Sequence, residues 1–183
     1  MASLGAIASF SKGKNISKKD LSDNGFPCIT YGELYTYYNE IIDSVKSKTS
    51  LDKNDLILTS KNDVIIPGYG ETAIDLANAA CILEDNIAIC KNTIIIKTQL
   101  DGIFLSFYLN YKRKEIAKYV QGGSIMYINI NDLKKVNLLI PPLKDQRKIN
   151  KILSSVNKKI ELTNKQINLM KTYKKGLLQK MFC

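Results

Sequence analysis

Few residues of this chain could carry out catalysis. Its 183 residues include no histidine, which removes the commonest general base and the serine and cysteine triads that depend on it. Gly68-Tyr69-Gly70 is a lone Gly-x-Gly without a glycine-rich continuation, and it predicts a turn in preference to a phosphate-binding loop. The sequence contains no Walker lysine motif and no paired carboxylates placed with a lysine as in a nuclease. We therefore predict a protein that binds and does not itself catalyse a reaction.

Metal and cofactor sites are not predicted either. Cys28, Cys81, Cys90 and Cys183 form no Cys-x-x-Cys pair, and without histidine a structural zinc site lacks its usual ligands. We interpret these residues as buried thiols of a reducing cytoplasm, with a Cys81–Cys90 bridge as the alternative. No apolar run approaches the length of a transmembrane helix, and the expected location is cytoplasmic.

Side chains suited to binding a nucleic acid occur in three clusters. The clusters are residues 12–15, the tyrosine-rich segment 31–38, and residues 121–124 followed by Tyr127. Lysine beside glycine can approach phosphate, whereas amides and hydroxyls can bond to base edges. The alternative is that the tyrosines pack in the core or across strands and that the lysines are solvated. The candidate DNA-binding residues are Lys12, Lys14, Asn15, Tyr31, Tyr35, Tyr37, Tyr69, Gln121, Ser124 and Tyr127.

The chain before Pro141 is predicted to be a strand-rich α+β domain. Short β-type runs separated by Asn, Asp and Gly turns predict a curved sheet or half-barrel. One helix is predicted from Gly102 to Val120, capped by Asp101 and ended by Gly122-Gly123. The predicted strands are residues 28–31, 56–59, 64–66, 87–89, 93–96, 126–128 and 136–140.

The residues after Pro141-Pro142 are predicted to form one long helix. Proline is tolerated in a first helical turn and disfavours helix before it. From Leu143 to Lys180 such a helix is about 57 Å long, and its apolar residues follow the heptad spacing of a coiled coil. A two-helix hairpin is the alternative, although no turn signal interrupts residues 143–173. The predicted dimerisation residues are Ile149, Leu153, Val156, Ile160, Thr163, Ile167, Met170 and Leu177.

Positive charge is concentrated in this predicted helix. Residues 144–183 contain 11 Lys and Arg against 2 Asp and Glu, a balance of 11 − 2 = +9, whereas the whole chain carries 27 − 17 = +10. The density of charge favours a polyanion or an acidic protein as partner, with a plainly solvated face as the alternative. Nucleic acid is preferred to a membrane surface, because the seam lacks the Trp, Phe and Leu face of an interfacial helix.

Several segments together match a known pattern. Residues 4–14, 25–32 and 51–57 are similar to the start of a target-recognition domain, and residues 175–182 are similar to the ending of the same kind of chain. The most specific match is Ile140-Pro141-Pro142-Leu143-Lys144-Asp145-Gln146-Arg147-Lys148-Ile149. It resembles the Pro-Pro-x-x-Glu-Gln-x-x-Ile junction of the specificity (S) subunits of type I restriction-modification enzymes. Asp145 replaces the usual Glu and keeps a carboxylate in the first helical turn.

The resemblance implies a division of labour among several proteins. Residues 1–140 would form a target-recognition domain that binds double-stranded DNA, and residues 141–183 a helix for dimerisation and for docking methyltransferase (modification) subunits. Those separate subunits would bind S-adenosylmethionine and methylate adenine, and a restriction subunit would translocate and cleave. This chain itself would hold no cofactor.

The length of the chain leaves alternatives open. A full S subunit usually has two recognition domains, each followed by a long helix, whereas this chain has one of each. It is therefore either a half-size S subunit or the carboxyl-terminal half of a larger one. As a half-size subunit it is expected to form a homodimer with antiparallel helices that reads an inverted, bipartite target. The competing classes are a coiled-coil adaptor without DNA specificity and, less favoured, an enzyme of its own.

Overall fold

The computed structural model describes residues 1–14 and 16–182. The chain divides into two units, residues 1–143 and residues 144–183. The first unit combines short strands with short helices, and the second is helical. The predicted α+β class with one long C-terminal helix is confirmed. Asn15, one of the predicted DNA-binding residues, lies outside the described residues, as does Cys183.

Thirteen short strands occur in the described part of the chain, and they divide among four sheets. The sequence predicts a curved sheet or half-barrel, and the structure distributes the strands over four separate sheets. The strands are β1 (Ala2–Ser3), β2 (Ala8–Lys12), β3 (Leu21–Ile29), β4 (Ile41–Ile42), β5 (Ser47–Thr49), β6 (Val64–Pro67), β7 (Tyr69–Gly70), β8 (Ala80–Ile82), β9 (Ala88–Ile89), β10 (Thr93–Thr98), β11 (Val120–Gly122), β12 (Met126–Ile128) and β13 (Asn137–Leu138). Their orders in the sheets are β1-β13, β2-β10-β6-β8-β4, β11-β12-β7 and β5-β3-β9.

Six α-helices accompany these strands in residues 1–14 and 16–182. They are α1 (Leu4–Ile7), α2 (Glu33–Thr36), α3 (Gly102–Tyr111), α4 (Arg113–Ile116), α5 (Ile130–Leu133) and α6 (Leu143–Phe182). Single 3-10 turns occur at Lys18–Asp20, Lys53–Asp55, Asp75–Ala77 and Ala117–Tyr119. With α6 set apart, every helix of the first unit is short, so strands and loops dominate that unit.

Two sequence predictions about strands were wrong. Residues 56–59 do not form a strand, and Leu58 makes only an isolated bridge to Ala88. Gly68-Tyr69-Gly70, predicted as a turn, instead contains β7, because Tyr69 and Gly70 pair with Tyr127 and Met126 of β12. Both differences depend on pairing with residues far away along the chain, which a local turn signal does not report.

The central five-stranded sheet explains why two of its strands are apolar at successive positions. β6 and β10 pair antiparallel, and residues 64–66 and 94–96 are fully buried. Val64, Ile66, Ile94 and Ile96 belong to one apolar cluster, whereas Ile65 and Ile95 belong to another. Since side chains alternate between the two faces of a strand, each cluster covers one face of the sheet. The sheet is therefore the middle layer of the first unit.

Helix α3 begins where the sequence predicts and ends earlier. The Asp101 carboxylate accepts hydrogen bonds from the backbone N–H groups of Ile103 at 3.0 Å and Phe104 at 3.2 Å, as an N-cap should. The predicted single helix to Val120 is wrong, because Lys112 leaves helical geometry with ψ near 8°. Arg113 then donates to the side-chain oxygens of Asn78 and Asn110, and the chain continues as α4.

Replacing Asp101 with alanine is expected to lower the free energy of unfolding by about 1 kcal/mol, because two N–H groups of α3 lose their acceptor. Asp101→Asn, which keeps an acceptor oxygen at the cap, is the matched control and is expected to change stability by a few tenths of a kcal/mol, on the order of other good caps. Urea unfolding of both variants measures the difference. Equal losses in the two variants would mean that the carboxylate acts through another contact.

The described cysteines are free thiols. Cys28, Cys81 and Cys90 are buried and unbridged, so the alternative of a Cys81–Cys90 disulfide was wrong. Burial raises the pKa of Cys28 to about 12, with smaller contributions from Glu33 and Cys90. Burial likewise raises the pKa of Cys81 to about 12. Both thiols therefore stay protonated and unreactive at neutral pH.

Helix α6 runs without interruption for 40 residues, a length of about 60 Å. The alternative of a two-helix hairpin is wrong, because Leu143–Phe182 is one helix. Leu153 of the predicted seam is half-buried, and the other apolar side chains of the seam are exposed in the single chain, from 37% for Ile149 to 69% for Met170. Burying such a surface is favourable, so the seam is available to a second helix. Within the described residues, no helix is both long and apolar enough to cross a membrane.

Candidate nucleic-acid interface

The three-stranded sheet β11-β12-β7 presents a row of side chains that the sequence singled out. In its antiparallel register Gln121 lies opposite Tyr127, and Tyr127 lies opposite Tyr69. The rings of Tyr69 and Tyr127 are 6.2 Å apart between centroids and tilted by 34°. All three side chains are exposed. Residues directly opposite each other share a face of the sheet, so these three form one polar and aromatic row.

Hydrogen bonds hold the amide of Gln121 in this row. The Tyr127 hydroxyl donates to Gln121 Oε1 at 3.2 Å, and Gln121 Nε2 donates to Asp132 Oδ2 at 3.2 Å. Asp132 is held in turn by Lys135, whose Nζ lies 2.6 Å from Asp132 Oδ1. The row therefore extends to α5 through the acidic side chain of Asp132.

A shallow pocket adjoins the row. It has a volume of about 450 Å³ and is lined by Tyr31, Tyr35, Tyr69, Gly70, Glu71, Ser124 and Ile125. The rings of Tyr31 and Tyr35 lie 6.5 Å apart and are tilted by 54°. Four of the predicted residues thus line one pocket, and Tyr127 and Gln121 continue its surface through Tyr69.

Buried Glu33 fixes the backbone that carries Tyr31 and Tyr35. Its Oε2 accepts from the Thr30 backbone N–H at 2.7 Å and from the Thr30 hydroxyl at 2.8 Å. Its Oε1 accepts from the Ser47 hydroxyl at 2.8 Å. These three bonds join the end of β3, the start of α2 and β5. The two tyrosines are therefore presented on a tightly held segment.

The surroundings of Tyr35 in the pocket keep its hydroxyl protonated. Partial burial raises its pKa, and Tyr31, Glu71 and Asp75 raise it further. The hydroxyl of Tyr35 therefore keeps its proton at neutral pH and can donate to a base or phosphate acceptor.

Lys12, Lys14 and Tyr37, three other predicted residues, are not part of this pocket lining. The backbone of Lys14 forms an isolated β-bridge with Cys90, and the Cys90 Sγ accepts a hydrogen bond from the Tyr31 backbone N–H at 3.1 Å. The side chain of Lys14 turns to Asp55, with Nζ 3.5 Å from Oδ1. Lys12 is an exposed residue of β2. Tyr37 is exposed, with Lys46 Nζ 4.0 Å from its ring centre. Lys14 is therefore linked to the tyrosine segment through Cys90, whereas Lys12 and Tyr37 line neither this pocket nor the row.

Sequence reasoning missed several residues that build the site. Glu33 and Asp132 position the predicted residues, and Glu71 and Ile125 line the pocket. A second cavity of about 340 Å³ beside Tyr31 and Tyr35 is lined in part by Lys18, Lys91 and Asn92. A local signal existed for one of them, since Thr30-Tyr31-Gly32-Glu33 has the Ser/Thr-x-x-acid spacing of a capping box. The same spacing recurs in Ser17–Asp20 and Thr72–Asp75, where the carboxylate accepts the corresponding bonds.

Within residues 1–14 and 16–182, no group of three or more His, Cys, Asp or Glu side chains is arranged to hold a metal ion. Asp132, the acidic side chain beside the row, is committed to protein partners, since it binds Gln121 and Lys135. The arrangement is suited to hydrogen bonding and stacking.

The first unit presents tyrosine rings, a fixed amide and hydroxyl donors, and the chain continues into a strongly basic helix. This combination is typical of proteins that read nucleic acids. A family model described as the type I restriction modification DNA specificity domain matches residues 1–172. The chain therefore belongs to the family of type I restriction-modification DNA specificity domains.

Known proteins agree with this membership. The chain is 28% identical over 156 residues to the type I restriction enzyme MjaVIII specificity subunit of Methanocaldococcus jannaschii, covering 83% of this chain and 35% of that protein. Its fold is similar to the S subunit of the type I restriction-modification system of M. genitalium, with a TM-score of 0.63, 16% identity, and coverage of 87% of this chain and 39% of that one.

The fold is also similar to a second solved structure, with a TM-score of 0.64 and 18% identity. That structure is described as showing the structural basis of complex assembly and conformational transition in the type I restriction-modification system. It covers 87% of this chain and 38% of the other. The chain thus spans between a third and two fifths of the length of these three relatives.

Proposed function

We propose that this chain is a DNA sequence-specificity subunit of a type I restriction-modification system and reads one half of a bipartite target. The observation that carries the proposal is the exposed row Gln121-Tyr127-Tyr69, continuous with the pocket of Tyr31, Tyr35 and Ser124. Amides and hydroxyls can read base edges, and aromatic rings can pack on them. Family membership supports DNA as the polymer that is read.

The proposed role is non-catalytic. Separate modification subunits would bind S-adenosylmethionine and methylate the target, and a restriction subunit would join them in the full complex. The chain would supply sequence choice and a scaffold. Its exposed basic helix supports this role, since residues 144–183 carry 11 − 2 = +9 and can attract either DNA phosphates or acidic protein surfaces.

Besides DNA or an acidic protein surface, α6 is proposed to bind the α6 helix of a second copy of the chain. Successive seam residues are separated alternately by four and by three positions. On an antiparallel partner helix, these separations occur in the reverse order. Each residue of the set 149, 156, 163, 170, 177 then faces a residue of the set 153, 160, 167, 174, 181. With a twofold axis beside residue 165, the layers are Ile149 with Met181, Leu153 with Leu177, Val156 with Lys174, Ile160 with Met170, and Thr163 with Ile167.

This register supports a stable homodimer. Three of the five kinds of layer are wholly apolar, and each occurs twice about the axis. Lys174 opposite Val156 can extend its ammonium group to solvent while its carbon chain covers the valine. The dimer would place identical reading surfaces on two copies of the first unit, which suits an inverted repeat with an unread spacer.

Footprinting on a randomised duplex library, with the cognate modification subunit present, tests the proposal. The expected result is protection of one bipartite sequence with two half-sites and a spacer of fixed length. Affinity should also fall steeply as salt rises, because phosphate contacts release counterions. Protection that ignores sequence would contradict the reading function, and an affinity insensitive to salt would favour a coiled-coil adaptor without a DNA role.

A further inference from the structure

The β11–β12 hairpin forms one side of the three-stranded sheet β11-β12-β7 and ends in an exposed tip. Residues 123–125 join its two strands, and Gly122, the last residue of β11, has φ of 109°, a conformation that favours glycine. Open space surrounds Gly123, where an added Cβ would meet no atom within 4 Å, and the neighbouring Ile125 is 68% exposed. Some DNA-binding proteins place strands of a β-sheet in a DNA groove. Gln121 lies on the edge strand β11, beside the tip of the hairpin.

The partners of Gln121 decide which end of its amide is oxygen. An ionised carboxylate can only accept hydrogen bonds, so the amide atom facing Asp132 Oδ2 at 3.2 Å is the nitrogen Nε2. The oxygen Oε1 then faces the Tyr127 hydroxyl, which donates to it at 3.2 Å. The orientation is therefore set by chemistry and is held at both ends.

The remaining bonding capacity of the amide matches one base. A glutamine amide has two N–H groups and two oxygen lone pairs, and among the described residues its recorded side-chain bonds use one of each. One donor and one acceptor remain on the same amide. In the major groove only adenine offers a neighbouring acceptor and donor, N7 and N6–H₂, whereas guanine offers two acceptors and cytosine a donor.

Holding the amide in place also favours selectivity. A free glutamine side chain must lose rotamer freedom when it binds and can flip to present either end. Here Tyr127 and Asp132 have already fixed the rotamer and the end. A base that needs the reversed order of donor and acceptor would have to break one of these bonds.

We infer that Gln121 reads an adenine in the half-site through a bidentate contact to its N6 and N7, with Tyr127 and Asp132 as positioning residues. This inference rests on the proposed DNA-specificity function and adds the base and the side chain. Tyr69, packed against Tyr127 in the same row, supports the positioning hydroxyl from the other side.

The experiment compares variants on a library of duplexes in which every half-site position is randomised, with the modification subunit present. The unaltered chain is expected to select an adenine at one position in each half-site. Gln121→Ala should lose about 10-fold or more of the preference at that position alone, since a bidentate pair discriminates by roughly 1–3 kcal/mol and tenfold is about 1.4 kcal/mol. Gln99→Ala, at an exposed glutamine outside the β11-β12-β7 sheet, is the matched control and should leave the preference unchanged.

A change of base preference gives a sharper readout. The double variant Gln121→Glu with Asp132→Asn exchanges amide and carboxylate, so the bond between positions 121 and 132 is retained with its direction reversed. A carboxylate at 121 accepts from cytosine N4, and the selected base should change from adenine to cytosine. Tyr127→Phe should weaken the adenine preference while the affinity for duplexes with another base there stays the same, a readout that a purely structural role would not give.

The outcomes separate the two levels of the proposal. If the unaltered chain selects no sequence, the proposed function fails and the inference fails with it. If the unaltered chain selects a half-site and Gln121→Ala selects the same one equally strongly, the assignment of Gln121 is overturned and the DNA-specificity function stands. Melting temperatures equal to that of the unaltered chain confirm that each variant is folded.

Discussion

Replacing Ile160 and Ile167 with lysine is expected to weaken the proposed homodimer by more than about 100-fold. Full burial of an isoleucine contributes roughly 1.5–3 kcal/mol, and four such side chains meet in one dimer. Both residues are about half exposed in the single chain, at 52% and 46%, so their loss should leave the monomer folded. Sedimentation equilibrium measures the change, and an unchanged dimer would show that the seam is wrongly assigned.

The matched control adds the same charge outside the seam. Leu162 and Leu169 are exposed residues of α6 at 53% and 69%, and they occupy neither seam set. Leu162→Lys with Leu169→Lys should therefore leave the dimer intact. If this control weakens the dimer as much as the seam variant does, general repulsion between the basic helices is the cause.

The direction of the two helices can be tested with the same residues. In a Cys183→Ser background, one copy carrying Ile160→Cys and another carrying Met170→Cys should form a disulfide when mixed, because the antiparallel register places these positions opposite each other. Ile160→Cys chains on their own should not link. Linking of Ile160→Cys chains to one another would indicate parallel helices.

Loss of Glu33 is the second large effect that we expect. Glu33→Ala removes three hydrogen bonds to Thr30 and Ser47, and bonds to a charged group contribute roughly 1.5–3 kcal/mol each before partial replacement by water. We expect a loss of about 3 kcal/mol in the free energy of unfolding, measured by urea denaturation. Because this segment carries Tyr31 and Tyr35, the variant should also bind its DNA target more weakly at a temperature where it is folded.

Two variants show which property of Glu33 matters. Glu33→Gln keeps an oxygen for Thr30, and the Ser47 hydroxyl can turn to accept from the new amide, so a loss of about 1 kcal/mol is expected. Glu84→Ala removes an exposed carboxylate and should change stability by less than about 0.5 kcal/mol. A loss with Glu33→Ala no larger than with Glu84→Ala would mean that the three bonds do not stabilise the fold.

The sequence could predict the elements whose signals are local. The Asp101 cap, the strand Met126–Ile128, the buried runs of β6 and β10 and the helix after Pro141-Pro142 all depend on neighbouring residues. The heptad residues of the sequence also lie on one face of the helix in the structure, because the position of a residue around a single helix depends only on its separation along the chain. The break of α3 near Lys112 could not be predicted, because it depends on the side chain of Arg113 meeting Asn78.

The candidate site likewise divides into features with a local sequence signal and features that depend on contacts between distant residues. The sequence groups Tyr31 with Tyr35 because they are near each other in the chain, and the structure places Tyr69 in the same pocket and pairs it with Tyr127 across β7 and β12. That pairing joins segments far apart in sequence, so Gly68-Tyr69-Gly70 was interpreted as a turn. Asp132 carries no local sign that it binds Gln121. The DNA-binding roles of these residues stay predictions until the variants are measured.

If the chain reads DNA as proposed, the uneven charge of its two units implies that ionic strength changes its affinity for DNA and leaves its sequence selectivity unchanged. Of the net +10, residues 144–183 carry 11 − 2 = +9, whereas Gln121, Tyr127 and Tyr69 in the reading row are uncharged side chains. Counterion release accompanies contacts to phosphate and is the same for every sequence. Salt would therefore weaken binding to correct and incorrect duplexes by a similar factor. Under the proposed function, a cell whose internal potassium concentration rises would retain the same distinction between target sites and all other sequences.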